Sequence, residues 1–216
     1  MAGLLDIIGP VMIGPSSSHT AGAARIAKLA LRLLGEPVNR AEIILYNSFA
    51  KTYFGHGTHL AILGGLMGFA PDDVRLRTAD ILARDSFSYT LVTGEGPMHP
   101  NTVRLLLTGS TQAVEVVGVS LGGGRVKIVE IDGFPTQVDG TSHVIVVFSA
   151  DRPGVITFLT ALIAKAEVNI GNMNVSRRYK GASVVMTIEL DQPLARGLLS
   201  EMLQSSEVHK IVQISP

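Results

Sequence analysis

Residues 143–214 carry the pattern that most restricts the fold. Residues 143–149, His-Val-Ile-Val-Val-Phe-Ser, are apolar and mostly β-branched, which suits a buried strand. Asp151-Arg152-Pro153-Gly154 breaks that strand. Val155, Phe158, Leu159, Leu162, Ile163 and Ala166 then recur at helical spacing. Val168-Asn169-Ile170 opens a second strand, where Met173, Val175 and Arg177 alternate with Asn172, Asn174 and Ser176. Tyr179-Lys180-Gly181-Ala182 predicts a hairpin turn, and Val184, Met186, Ile188 and Leu190 alternate in a third strand. Asp191-Gln192-Pro193 predicts a capped helix start with Pro193 in its first turn, followed by an apolar stripe from Leu194 to Leu203. Residues 208–214 complete the series as a fourth strand. The order βαββαβ is the ferredoxin-like arrangement.

The front of the chain is less regular. Residues 23–34 predict a helix stopped by Gly35, and 42–47 a strand. Residues 58–67 predict a helix weakened by Gly64 and Gly65. Strands are predicted at 87–93 and 103–108, and a hairpin joins 112–120 to 125–131 across Gly122-Gly123-Gly124. Helices and strands mix without βαβ alternation. The fold class is therefore α+β, a mixed α/β front domain (1–133) followed by a ferredoxin-like domain (142–216). The polar, Pro- and Gly-containing stretch 134–141 between them reads as a linker.

Composition removes several functions. Eighteen basic residues balance 18 acidic ones without a basic run, so no nucleic-acid partner is expected. There is no cysteine, so thiolate-held zinc and disulfides are excluded, and an iron–sulfur cluster would have to be held by another chain. The start lacks a basic, apolar leader pattern, and the longest uncharged apolar run, 60–71, falls short of the roughly 20 residues of a membrane helix. The expectation is a cytoplasmic protein without membrane contact. With its charge balanced, an apolar content of 46% suggests surface buried against a partner chain.

Candidate chemistry centres on Gly14-Pro15-Ser16-Ser17-Ser18-His19-Thr20, directly before the predicted helix at 23–34. A helix start carries unpaired N–H groups and partial positive charge. Ser16, Ser17, Ser18 and Thr20 can cap it, or cradle a carboxylate or phosphate there. One hydroxyl suffices for a cap, so four hydroxyls and His19 favour the anion site. His56-Gly57-Thr58-His59 places two imidazoles three apart, and His99 could join them only through the fold. No metal site is assigned, because zinc needs three or more ligands. His99-Pro100-Asn101-Thr102 is a polar turn, either a local Asx-type turn or a wall facing the serine loop. No G-x-S-x-G elbow is present. In the second domain, Asp151, Arg152, Pro153 and Gly154 join strand to helix, and Asn169 and Ile170 enter the next strand. These two places can lie together at one sheet edge, where helix N–H groups take a carboxylate and Asn169 an ammonium.

Residues 144–214, through Asp151-Arg152-Pro153-Gly154-Val155 and Val168-Asn169-Ile170, resemble an ACT domain, a module that binds amino acids. Met12-Ile13-Gly14-Pro15-Ser16-Ser17-Ser18-His19-Thr20-Ala21-Gly22-Ala23, Gly55-His56-Gly57-Thr58-His59 and His99-Pro100-Asn101-Thr102 resemble the β chain of bacterial iron–sulfur-dependent L-serine dehydratases. The similarity extends from residue 6 to 214. It implies an allosteric substrate-binding domain, a type also found in some 3-phosphoglycerate dehydrogenases. It further implies a catalytic α subunit as partner, with cysteines holding a [4Fe–4S] cluster, and L-serine as ligand. In that family the reaction is deamination of L-serine to pyruvate and ammonia, with the cluster as Lewis acid for loss of the hydroxyl. Self-association through the ACT module is likewise implied. The competing class is a stand-alone amino-acid sensor.

Overall fold

The computed structural model describes residues 11–177 and 179–216. The reading of the chain start falls outside them. Contacts divide the chain into two units, between Asp132 and Gly133.

In the front unit the sheet runs in the order β2-β1-β3-β4-β5. Its strands are β1 (Arg40–Tyr46), β2 (Ser88–Gly94), β3 (Thr102–Thr108), β4 (Ala113–Gly122) and β5 (Arg125–Ile131). β1 and β2 are parallel; the other neighbours are antiparallel. A short π-helical turn, Ser17–Gly22, leads into α1 (Ala23–Leu34). Gly35 ends α1 in the left-handed region at φ 84°, with its N–H on Leu31 O, as the stop signal predicts. The crossover from β1 to β2 carries α2 (Asn47–Thr52), α3 (Thr58–Leu66), a 3₁₀ turn (Val74–Thr78) and α4 (Ala79–Ser86). The sequence reading lacks α2 and α4, which are too short to establish an apolar period.

Gly65 explains why α3 carries glycines. A Cβ there would overlap Ala24 O and lie 2.7 Å from Ala27 Cβ. The glycine costs helix propensity and lets α1 and α3 approach at backbone distance. Ile26, Leu33, Ile43, Leu45, Ile62 and Leu105 are fully buried in this unit.

The second unit begins with β6 (Phe134–Val138). The predicted linker 134–141 is therefore mostly strand, with Phe134, Thr136 and Val138 buried and Pro135 and Gln137 exposed. A period-two signal was present but outweighed by the Pro and Gly content. There follow β7 (His143–Ala150), α5 (Val155–Lys165), β8 (Ile170–Arg177), β9 (Ser183–Leu190), α6 (Arg196–Met202) and β10 (Val208–Ile214). The sheet order β10-β7-β9-β8, antiparallel throughout, is the ferredoxin-like topology. Its core sets Ile145, Val147, Met186 and Ile188 against Leu159 and Ile163 of α5. α6 starts later than Asp191-Gln192-Pro193 predicts: its N-cap is Ala195, without a side-chain cap.

Candidate functional site

The C-terminal ends of β1, β2 and β4 and the start of β3 share one end of the front sheet. The registers Tyr46↔Gly94, Leu45↔Val103 and Thr102↔Val119 place them there. The serine-rich turn packs onto this end. Gly22 lets it approach, because a Cβ there would overlap Ser120 Oγ. Ser120 is fully buried and donates its hydroxyl to Ser18 O at 2.9 Å. Its N–H donates to Asn101 O at 3.0 Å, and Asn101 Nδ2 returns a bond to Ser120 O at 3.4 Å. One strand serine thus ties together the two motifs, 16–20 and 99–102, that are 80 residues apart in sequence.

Ser16 caps the π turn by accepting the His19 N–H at 3.1 Å. Thr20 is buried and donates to His56 O at 3.1 Å. Ser17 and Ser18 are half-buried, and neither hydroxyl has a hydrogen bond among the described residues. Two of the four hydroxyls are thus spent on structure and two are available. π turns are rare and recur at functional sites.

His19 lies between Ser16 and Ser48. Its Nδ1 is 3.2 Å from Ser16 Oγ and its Nε2 3.2 Å from Ser48 Oγ. Its ring stands edge-on to Phe49 at 5.2 Å and to His56 at 4.7 Å. Burial, and secondarily His56, lower its pKa below the ordinary 6.5, so the imidazole is neutral at pH 7. Ser48 opens α2 and donates its N–H to Pro100 O at 2.9 Å. Asn47 adopts φ 52°, which asparagine tolerates, and its side chain bonds Gly96 O, Met98 O and Gly96 N. The 96–101 loop is thereby clamped to the start of α2.

His56 contributes its carbonyl to Thr20, while its Nδ1 is buried without a partner among the described residues. It also lines a cavity of about 390 Å³ with Gly14, Thr20, Gly57 and Arg77. His59 lies apart from His19. Its Nδ1 donates to Tyr53 O at 3.1 Å and its ring stacks on Phe54 at 5.7 Å. His99 is exposed, and its Nδ1 accepts the Asn101 N–H at 3.2 Å. Among the described residues no three His, Asp or Glu side chains cluster as metal ligands would.

Sequence reasoning missed Ser48, Asn47 and Ser120. Ser120 left one signal, a hydroxyl at the end of an otherwise valine-rich strand. Ser48 left none.

In the second unit the structure separates the two predicted ligand segments. Ala150 pairs with Ser183 at one end of the sheet, and Ile170 pairs with Leu190 at the other. β7 has eight residues and the two segments lie just beyond its opposite ends, so Asp151 and Asn169 of one chain are roughly 30 Å apart. The expected juxtaposition fails because β8 runs parallel to β7, with β9 between them. Asp151 is already engaged: its carboxylate accepts the Gly181 N–H at 2.9 Å and pairs with Arg177 at 3.2 Å. The Gly181 bond leads in holding its pKa below the usual carboxylate range, with Arg177 adding to it. Arg152 and Pro153 are exposed, and Gly154 caps α5 at φ 92°. Asn169 donates to Asp191 at 3.1 Å and, with Ile170 and Thr160, lines a groove of about 490 Å³.

These features define a two-unit α+β protein with a polar, imidazole-centred site in its front unit and a ferredoxin-like second unit. Residues 4–92 match the family model described as serine dehydratase beta chain. The probable L-serine dehydratase β chain of Bacillus subtilis is 41% identical over 214 residues, 98% of this chain and 96% of the relative. The L-serine dehydratase β chain of Peptoniphilus asaccharolyticus is 37% identical over 202 residues, covering 92% and 91%. A D-3-phosphoglycerate dehydrogenase of Synechocystis is 26% identical over 183 residues, 83% of this chain but 33% of the relative. The chain belongs to the L-serine dehydratase β-chain family and is a subunit of a lyase. Among the described residues no helix is long and apolar enough to cross a membrane.

Proposed function

We propose that this chain works with a cysteine-containing α subunit in the cytoplasm to convert L-serine to pyruvate and ammonia. It borders the active site through 16–20 and 99–101, and it is inactive alone. The carrying observation is the pair of uncommitted hydroxyls, Ser17 and Ser18, beside a neutral His19 that the fold fixes in place. Around this polar patch Phe54, Met98 and Leu121 are 79%, 40% and 45% exposed, an apolar rim suited to a partner chain. The chain's own residues do not fit a [4Fe–4S] cluster, since it has no cysteine; the cluster belongs to the partner, where it would supply Lewis-acid chemistry. This chain's part is to bind and orient: the Ser17 and Ser18 hydroxyls receive the serine carboxylate, and the neutral imidazole is able to accept a proton. The ferredoxin-like unit serves as an ACT-type module for self-association and amino-acid response. Because Asp151 and Asn169 lie at opposite ends of one sheet, a ligand touching both would lie between two copies of the module.

The test is pyruvate formation from L-serine by each chain alone and by the two together. Activity only in the mixture is the expected result. Turnover by this chain alone, or full turnover by the partner alone, overturns the reading.

A further inference from the structure

β2 is an edge of the front sheet, paired on one side to β1 from Arg40↔Ser88 to Tyr46↔Gly94. Beyond that ladder and the Ser88 bonds to Asn39 O at its head, residues 88–94 make no hydrogen bond among the described residues. A parallel ladder engages alternate residues of a strand, so the N–H and C=O groups of the others point outward, unpaired. Ser-Tyr-Thr-Leu-Val-Thr-Gly carries no charge and no proline, and its register runs without a bulge. Natural edges normally carry one of these devices against pairing. Both edges of the second unit do. β10 carries Lys210 and shifts register between Val208 and Lys210; β8 shifts register between Ile170 and Asn172 and ends on Arg177. β2 lacks all of them.

We propose that β2 is a self-association edge, pairing with β2 of a second copy of this chain so that two front sheets join into one. A two-fold axis sets a strand antiparallel to its own copy. With the axis at Leu91, Thr90 faces the partner's Val92 and Tyr89 the partner's Thr93. Thr90 and Val92 are both exposed in the single chain. No ionised side chain lies within the seven positions, so pairing strips water from no charge. Charges flank the strand instead. Lys51 and Glu95, 3.2 Å apart and 70% and 74% exposed, stand at its C-terminal end. Arg84 and Asp85 close α4 at its N-terminal end, exposed and without an ion pair among the described residues. Antiparallel pairing brings these unlike ends together, offering Glu95 the partner's Arg84 and Lys51 the partner's Asp85, twice over by symmetry. A second copy thus supplies both an uncharged strand of equal length and complementary charge at each end. This surface does not depend on the proposed reaction.

Amide hydrogen exchange of the full chain across a dilution series reads the edge directly, separately from any contact made by the second unit. The amides of 89–94 should exchange more slowly as protein concentration rises. The variant carrying Thr90→Lys and Val92→Lys places two like charges against their copies across the axis. It should lose that concentration dependence and show half the wild-type mass by sedimentation, with an unchanged far-ultraviolet circular dichroism spectrum. Exchange at 89–94 that is the same at every concentration overturns the proposal, as does an unchanged mass in the folded double variant. Slowing that appears only when the α subunit is added overturns the second copy as occupant. If the double variant fails to fold, the wild-type exchange decides alone.

Discussion

Glycine does opposite things in the helices of the two units. Gly65 in α3 of the front unit has Ala24 O and Ala27 Cβ where its own Cβ would lie. Gly197 in α6 of the second unit has nothing within 4 Å of that position. The front unit gains its packing from backbone approach between α1 and α3. The second gains it from branched side chains filling the layer between one sheet face and two helices. A site built on close backbone approach can set a turn such as Ser17–Gly22 directly against a buried strand serine. A side-chain layer cannot, because every Cβ holds the backbones apart.

The contrast can be broken by substitution. The largest change is expected from Ile163→Ala in the second unit, where a fully buried side chain leaves a cavity. About 2–5 kcal/mol of stability should be lost, read by denaturant unfolding. Gly65→Ala adds a methyl where no space exists and should destabilise the front unit by about 1–3 kcal/mol. Gly197→Ala is the same substitution with the opposite sign. It should stabilise by about 0.5–1 kcal/mol, since the helix gains propensity and meets no neighbour. Equal signs for the two glycine variants would end the comparison.

The smallest expected effect is a pH slope. The folded pKa of His19 lies below its ordinary 6.5, so between the two values the unfolded chain binds more protons than the folded one. The His19 contribution is therefore complete above pH 6.5 and is lost as pH falls through the folded value. Melting curves of wild type should weaken with acidification from pH 7 to 5 more steeply than those of His19→Gln. Parallel slopes would show that His19 is not perturbed.

The sequence made the second unit nearly readable because its strands and helices each bury one face, and burial writes a period into the residues. Five of the six elements from β7 to β10 lie where the sequence places them; α6 is the exception, since Pro193 suits a helix start but the helix begins only at Arg196. The front unit is readable where a stop signal is strong, as at Gly35, and at the glycine-bearing α3, and unreadable at α2 and α4, which are too short to show an apolar period. The serine turn stood out by residue type alone. Its partners did not: Ser120 and Ser48 are single hydroxyls whose roles depend on strand register and on the left-handed turn at Asn47. The separation of Asp151 from Asn169 likewise follows from strand direction, which local composition does not encode.

The central claim is that the Ser17, Ser18 and His19 cluster acts on L-serine in the assembled enzyme. Its most direct test is kcat/KM for pyruvate formation by the two-chain complex carrying Ser17→Ala and His19→Ala together, with melting temperature measured on the same sample. The account predicts a loss of about tenfold or more with the fold intact, the scale of one or more lost hydrogen bonds. An intact fold with wild-type kcat/KM would reduce the cluster to a helix cap and contradict the account.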